Sequence, residues 1–445
     1  MAPQERYAAL SLAGVYALRM LGLFMILPVF ALYAHELEGV TPALTGLAIG
    51  VYGITQAVLQ IPAGLLSDRI GRKPVIIGGL LLFAFGSVVA AQADSIYVVI
   101  LGRALQGSGA IAAAIMALTA DLTRENQRIK AMALIGMSIG LSFAAAMILG
   151  PLLNEWVGVP GIFWITALLA LGGILVVAFV VPRPRVTAVH REAEAIPAQF
   201  GRVLRNPDLL RLDFGILVLH TALTASFVVL PVLLRDTIGL ASVRHWELYL
   251  PVLAGSILIM IPFIILAERG GRLKPVFLGA ITVLGLAELG MYLFSPTLIG
   301  VVVLLMVFFS AFNLLEAMLP SLVSRVAPGD CRGSAMGFYS SSQFMGAFLG
   351  GGLGGVVQGM YGLQTVFLFA ALALGVWLLV ALPMKSPRKL SSYMYKVEVV
   401  DQAGADRLTR QLVGMAGVAE AVVIPGDGVA YLKVDKQAFD PAGLP

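Results

Sequence analysis

Long apolar runs separated by short polar breaks recur along most of the chain. Each run is of roughly membrane length, so each reads as a transmembrane helix. The pattern places spans at about 8–34, 43–66, 74–91, 96–120, 129–152, 161–181, 209–234, 246–267, 275–294, 297–319, 333–356 and 363–383. That gives twelve. The longest break among them, 182–208, carries Arg183, Arg185, Arg191, Arg202 and Arg205 and divides the spans six and six. The start, MAPQERYAAL, leads into the first run with no small-residue cleavage site, so a retained first span is expected.

After Lys389 the period changes. Residues 394–400 alternate, Ala405, Leu408, Leu412 and Met415 keep helical spacing, and 418–424 and 430–434 flank the hairpin signal Pro-Gly-Asp-Gly. This β-α-β-β order is most of a ferredoxin-like unit; a second helix and fourth strand are missing. The expected fold is therefore an all-α membrane bundle of two six-helix halves followed by a small α+β domain. The expected divisions are 1–181, a linker at 182–208, 209–389, and 390–445.

Composition excludes a soluble globule. The 445 residues are 59% hydrophobic and 12% charged, with a mean hydropathy of +0.92. The formal charge of +5 lies in loops rather than one patch, so no nucleic-acid partner is expected. Lysines and arginines crowd alternate loops: Arg69, Arg72 and Lys73; Arg124, Arg128 and Lys130; the linker; Arg269, Arg272 and Lys274; Arg325 and Arg332; Lys385, Arg388 and Lys389. The opposite loops hold Arg235 and Arg244. The asymmetry predicts cytoplasmic termini and a cytoplasmic linker. One cysteine, Cys331, excludes a disulfide framework within the chain and a cysteine-rich metal site, so neither metal nor cofactor is expected.

The densest motif is GLLSDRIGRK, Gly64 to Lys73, between the second and third runs. Gly64 and Asp68 share a helix face, Gly71 breaks the helix, and Arg69, Arg72 and Lys73 supply loop cations. Ala267–Pro275, AERGGRLKP, reads as a degraded copy six spans later. A repeated six-helix unit with a site between its halves is a common transporter plan. The stretch resembles the signature loop of the major facilitator superfamily, G-x-L-x-D-R-x-G-R-K, in full. Ile100 to Ala110, ILGRALQGSGA, resembles the R-x-x-Q-G-x-G-A motif of the same superfamily. The whole chain is most similar to its YajR-type members, which append a small ferredoxin-like domain; LRMLG at Leu18–Gly22 and Glu316 within NLLEAMLPSLVS fit that group.

Ionisable groups at membrane depth are costly without a role. Arg19 and Arg103 lie in the first and fourth runs, His220 in the seventh, Glu288 in the ninth, and Glu316 beside Asn313 in the tenth. Gln56, Gln60 and Gln106 can line the same cavity or only join helices. Arg19, Arg103 and Glu316 rank first for a proton or substrate site, then His220. Asp213 reads as a helix cap near the membrane edge. Gly150-Pro151 reads as the end of the fifth span; it resembles the antiporter motif of that helix, but Leu152, Leu153 and Asn154 stand where glycines would follow. Gly346 to Gly355, GAFLGGGLGG, suits tight helix packing. Neither a nucleophile triad nor clustered metal ligands are found, so an enzyme is not expected.

The resemblance implies a bacterial inner-membrane secondary transporter, proton-driven and exporting small solutes or drugs by alternating access. It implies that Arg103 assists coupling, that Asp121 pairs with Arg72, and that Asp68 faces the start of the eleventh helix near Gly333, tying the halves in the outward-open state and parting when the inner side opens. The implied partners are membrane lipids, a small-molecule substrate, protons and a regulatory partner of the C-terminal domain, around a monomer. The alternative is a transporter-derived sensor or scaffold that signals through residues 392–445.

Overall fold

The structure is a computed structural model that describes all residues except 184–194, 269–271, 295–296, 385–390, 398–400, 424–428, 436–437, 442–443 and 445. Residues 269–271 of the Ala267–Pro275 echo and the Pro-Gly-Asp-Gly hairpin fall outside the described residues. The helices are α1 (Pro3–Phe24), α2 (Pro42–Ile70), α3 (Arg72–Ala91), α4 (Ile96–Ser108), α5 (Ala112–Leu122), α6 (Glu125–Leu175), α7 (Pro207–Val232), α8 (His245–Glu268), α9 (Leu273–Leu293), α10 (Leu298–Val326), α11 (Arg332–Tyr361), α12 (Thr365–Ala381) and α13 (Gln402–Val413). Among the described residues, α4 and α5 form one crossing and α6 forms two, which makes twelve in two six-helix halves.

Where the helices depart from the expected runs, proline and glycine decide. The first run was read as continuous to 34. Instead α1 stops at Phe24 and a short helix, Phe30–Tyr33, follows a turn that contains Pro28. Proline has no N–H to donate and its ring clashes with the preceding turn. The fourth run breaks between Ser108 and Ala112, at Gly109. Gly150-Pro151 does not end the fifth span: α6 runs through both and turns only at Gly158, with φ 65° and ψ 177°, just before Pro160. A membrane helix tolerates Pro151 because neighbouring helices can satisfy the carbonyl it frees.

The halves meet along α11. A methyl group added at Gly46 would strike the Gly351 carbonyl oxygen, and one at Gly53 would strike that of Phe344. On its other face α11 packs as closely on α7: a Cβ at Gly346 or Gly350 would meet the carbonyl oxygens of Leu217 and Thr221. Only glycine allows backbones this close, which is what the repeated small residues predict. The α2–α11 seam starts at the end of the bundle away from the Gly64–Lys73 loop and reaches down to Ala57, whose carbonyl accepts from Ser341 Oγ at 3.1 Å. Phe143 of α6 adds ring contacts to Phe227 of α7 and Phe309 of α10 at 6.3 and 6.1 Å.

The tail forms a three-stranded antiparallel sheet of β1 (Ser391–Lys396), β2 (Val418–Val423) and β3 (Val429–Val434) in the order β1-β3-β2. Tyr395 pairs with Ala430 and Val422 with Tyr431. Helix α13, capped by Asp401 accepting from Gly404 N, supplies Ala405 and Leu412 to a core with Val418, Ala430 and Leu432.

The seam yields a first expectation. Gly46→Ala must push apart two backbones, so it is expected to cost about 1–3 kcal/mol. Gly78→Ala, with open space around the added methyl, is expected to leave stability unchanged. Thermal unfolding of the purified protein compares them; equal melting would contradict the close approach.

Candidate functional site

Two polar centres sit inside the bundle, one in each half. The first is cationic. Arg19 of α1 is 0% exposed and Arg103 of α4 is 2% exposed. Neither has a carboxylate partner among the described residues. Arg19 Nη2 donates to Gln56 Oε1 at 2.7 Å and to the carbonyl oxygen of Gly109 at 3.0 Å. That carbonyl is free because the helix breaks there, so the broken fourth span supplies the arginine with an acceptor. Arg103 donates to the carbonyls of Ala48 and Ile49, each at 3.3 Å, and to Gln106 Oε1 at 2.8 Å. The Tyr52 ring lies between the guanidiniums, 5.7 Å from Arg19 and 5.4 Å from Arg103, and Phe83 covers Arg19 at 5.3 Å. Ring faces attract such cations, most strongly where water is excluded. Gln56 continues to Gln60 at 3.1 Å, and Gln106 to Ser87 Oγ at 2.7 Å.

The second centre holds the acid. Glu316 of α10 accepts at Oε1 from Gln343 Nε2 of α11 at 3.1 Å. The same amide nitrogen lies 2.9 Å from His220 Nε2 of α7, and His220 Nδ1 lies 3.3 Å from the Ile216 carbonyl oxygen. An amide NH₂ has two protons and a carbonyl only accepts. The pattern closes when His220 is neutral with its proton on Nδ1, and Nε2 accepting from Gln343. The imidazole then stands 4.0 Å from Glu316 Oε2. The Glu316 side chain is 36% exposed although it lies well inside α10.

The structure brings together most of the sequence candidates, but not all as paired. Asn313 does not join Glu316; its amide donates to Ser256 Oγ of α8 at 3.0 Å. Asp213 is not a cap. The cap of α7 is Asn206, which accepts from Asp208 N and Leu209 N, while Asp213 is buried within the helix. Gly150 serves packing: an added Cβ would lie 2.7 Å from the Met25 carbonyl oxygen and 2.9 Å from Pro28 Cγ, against the break after α1. Pro151 follows it inside α6. Gln343, the amide that joins acid to imidazole, was not singled out from the sequence. Its signal was a lone glutamine within the small-residue stretch of the eleventh run.

The loop motif closes on itself. Arg72 is buried and ion-paired with Asp68, and its Nε lies 3.3 Å from Asp121 Oδ2. Its Nη1 also donates to Ser67 Oγ at 2.9 Å. Gly71 ends α2 at φ 98°, a conformation that favours glycine. Lys73 Nζ donates to the Val181 carbonyl at 2.5 Å, and Gly64 packs against Ala113. Arg69 is exposed. Asp68 faces Arg72, four residues on at the same end of the bundle; its implied contact with the start of α11 near Gly333 belongs to the outward-open state.

At that end the linker and tail both grip the turn between α10 and α11. Arg202 Nη1 pairs with Asp330 at 2.7 Å, and Gln199 donates to the Asp330 carbonyl at 2.8 Å. Lys433 of β3 donates to the Arg325 carbonyl at 2.6 Å, at the negative end of the α10 dipole. Burial holds its ammonium below the usual lysine range, against the pull of Glu420 at 3.8 Å.

Arg72→Ala takes the cation from a fully buried Asp121 side chain, and is expected to cost about 3–5 kcal/mol. Asp68→Ala removes a carboxylate that is 29% exposed and is expected to cost less. Thermal unfolding of both variants checks the order; the reverse order would place the structural anchor at Asp68.

The Major Facilitator Superfamily model matches residues 12–267 and 212–397. The chain is 47% identical over 437 residues to the inner membrane transport protein YajR of Escherichia coli (strain K12), covering 98% of this chain and 96% of that protein. It is 28% identical over 341 residues to the multidrug resistance protein MdtH of Aeromonas salmonicida (strain A449), covering 75% of this chain and 83% of that one. Its backbone is similar to that of a bacterial homologue of the human lysosomal transporter Spinster, in an inward-facing and occupied conformation. There the TM-score is 0.67 at 14% identity, covering 86% of this chain and 97% of that one. Twelve apolar crossings, a full loop motif and a near full-length match to a transport protein agree: the chain belongs to the major facilitator superfamily, a family of multi-pass membrane transporters.

Proposed function

We propose that the protein is a proton-coupled exporter of small solutes or drugs that works by alternating access in the bacterial inner membrane. The observation that carries this reading is the Glu316–Gln343–His220 set. It places an acid and an imidazole 4.0 Å apart inside the bundle, with the Glu316 side chain 36% exposed and its Oε2 buried without a hydrogen-bond partner among the described residues. A carrier driven by protons needs a buried group that exchanges one with the solution, and this pair is of that kind. Export is favoured over import by the likeness to a protein named for multidrug resistance.

The halves, at 1–181 and 209–389, then move as units about the α11 seam, joined by the linker at 182–208, with 390–445 docked on the second half. The described state suits an opening toward the Gly64–Lys73 end. There the ion pairs Asp68–Arg72–Asp121, Glu5–Arg124 and Arg325–Glu268 each stay within one half, while the glycine contacts close the opposite end. The excess of arginine and lysine in the loops of that end supports a cytoplasmic side for it and for both termini.

Everted membrane vesicles with a pH-sensitive dye and a panel of sugars, amino acids, drugs and cations test the reading. A substrate-triggered collapse of the proton gradient is expected with the wild type. It is expected to vanish in Glu316→Gln and to weaken strongly in Arg103→Ala. A collapse that persists unchanged in Glu316→Gln would overturn proton coupling at this pair.

A further inference from the structure

A second carboxyl group lies in the same half, away from Glu316. Glu288 of α9 is 1% exposed. It lines a cavity of about 10 Å³, close to the space one water needs, with Ser226, Phe227, Met291, Phe308 and Phe367. Glu288 Oε1 lies 2.6 Å from Ser226 Oγ, and Oε2 has no hydrogen-bond partner among the described residues. The other cavity walls, from α7, α10 and α12, are apolar and bring no titratable or charged side chain. A bare carboxylate charge in such surroundings costs several kcal/mol.

The hydroxyl of Ser226 favours a protonated carboxyl. Its oxygen lies 2.6 Å from Glu288 Oε1 and also 2.8 Å from the Ala222 carbonyl oxygen. A hydroxyl has one proton to give, and neither a carboxylate nor a carbonyl has any. Both short contacts become full hydrogen bonds at once only when the carboxyl carries a proton. Glu288 then donates to Ser226 Oγ, and Ser226 donates to Ala222.

The position gives this proton a use. Ser226 and His220 lie six residues apart on α7, ~9 Å along its axis. Ser226 is nearer the end of the bundle that the α2–α11 seam closes. The Glu316 side chain is partly exposed, whereas Glu288 is buried. We propose that Glu288 is a second proton-binding station, loaded while the seam end is closed and exchanging its proton with solvent when that end of the bundle opens. In that exchange the proton leaves the carboxyl for water and the carboxylate remains. This rests on the proton-coupled reading above and adds to it a separate site.

Proton release from the purified full-length protein, stepped from about pH 5 to about pH 9 in unbuffered solution with an indicator dye, tests the two sites separately. Glu288→Gln and Glu316→Gln are each expected to release one proton fewer than wild type, and the double variant two fewer. A wild-type count in Glu288→Gln overturns the second station and leaves Glu316 standing. A wild-type count in Glu316→Gln overturns the coupling pair and leaves Glu288 standing. Ser226→Ala keeps the acid and removes only its hydroxyl partner. Its infrared carbonyl band, assigned by its loss in Glu288→Gln, is expected to move to higher wavenumber; an unmoved band overturns the Glu288–Ser226 proton.

Discussion

The acid and imidazole centre of this bundle depends on how closely α11 approaches two neighbours. Glycines on one face admit the α2 backbone, and glycines on another admit α7. Lipid tails give helices no hydrophobic reason to associate, so close packing must supply much of the attraction. The same approach sets the chemistry. It brings Gln343 of α11 between His220 of α7 and Glu316 of α10, three side chains far apart in the chain. The seam joins the halves by shape rather than by charge, and a contact of that kind can reform in a second arrangement without leaving an ion unpaired.

Charge is divided accordingly. Within the crossings the first half buries Arg19 and Arg103, and the second buries Asp213 and Glu288 and holds the partly exposed Glu316 beside His220. No described hydrogen bond between these groups crosses the seam. Arg19 and Arg103 are satisfied within their own half by carbonyls, glutamine amides and the Tyr52 ring. Breaks in the helices are part of this economy. The interruption at Gly109 exposes the carbonyl that Arg19 takes, and the interruption near Pro28 makes the recess into which Gly150 fits. In a membrane, irregular backbone persists where protein groups satisfy it. These irregularities therefore mark functional and packing positions rather than defects.

Much of this was legible in the residues. Apolar length alone gave the number of crossings, because the bilayer fixes how long a helix must be. The loop motif was legible because its charges sit within ten consecutive residues, where local geometry dictates neighbours. The pair Arg72–Asp121 followed from resemblance, and the geometry places the two 3.3 Å apart. Asp213 was misread because distance from the end of an apolar run is a poor guide to where a helix begins; the Asn206 cap moved the start outward. Gly150-Pro151 was misread because proline stops helices in water more surely than in a bundle.

The sequence by itself determined the class of molecule, its crossings, its break into halves and the identity of the buried charges, since each follows from hydropathy and local spacing. It did not determine which charge meets which group. That choice is made by helix rotation and tilt, and these are set by contacts between residues tens to hundreds of positions apart. Asn313 and Glu316 are three residues apart, yet one turns to Ser256 and the other to Gln343. Glu288 looked like one more acid in an apolar run. Only the tertiary structure set it beside a serine whose single proton is already needed elsewhere.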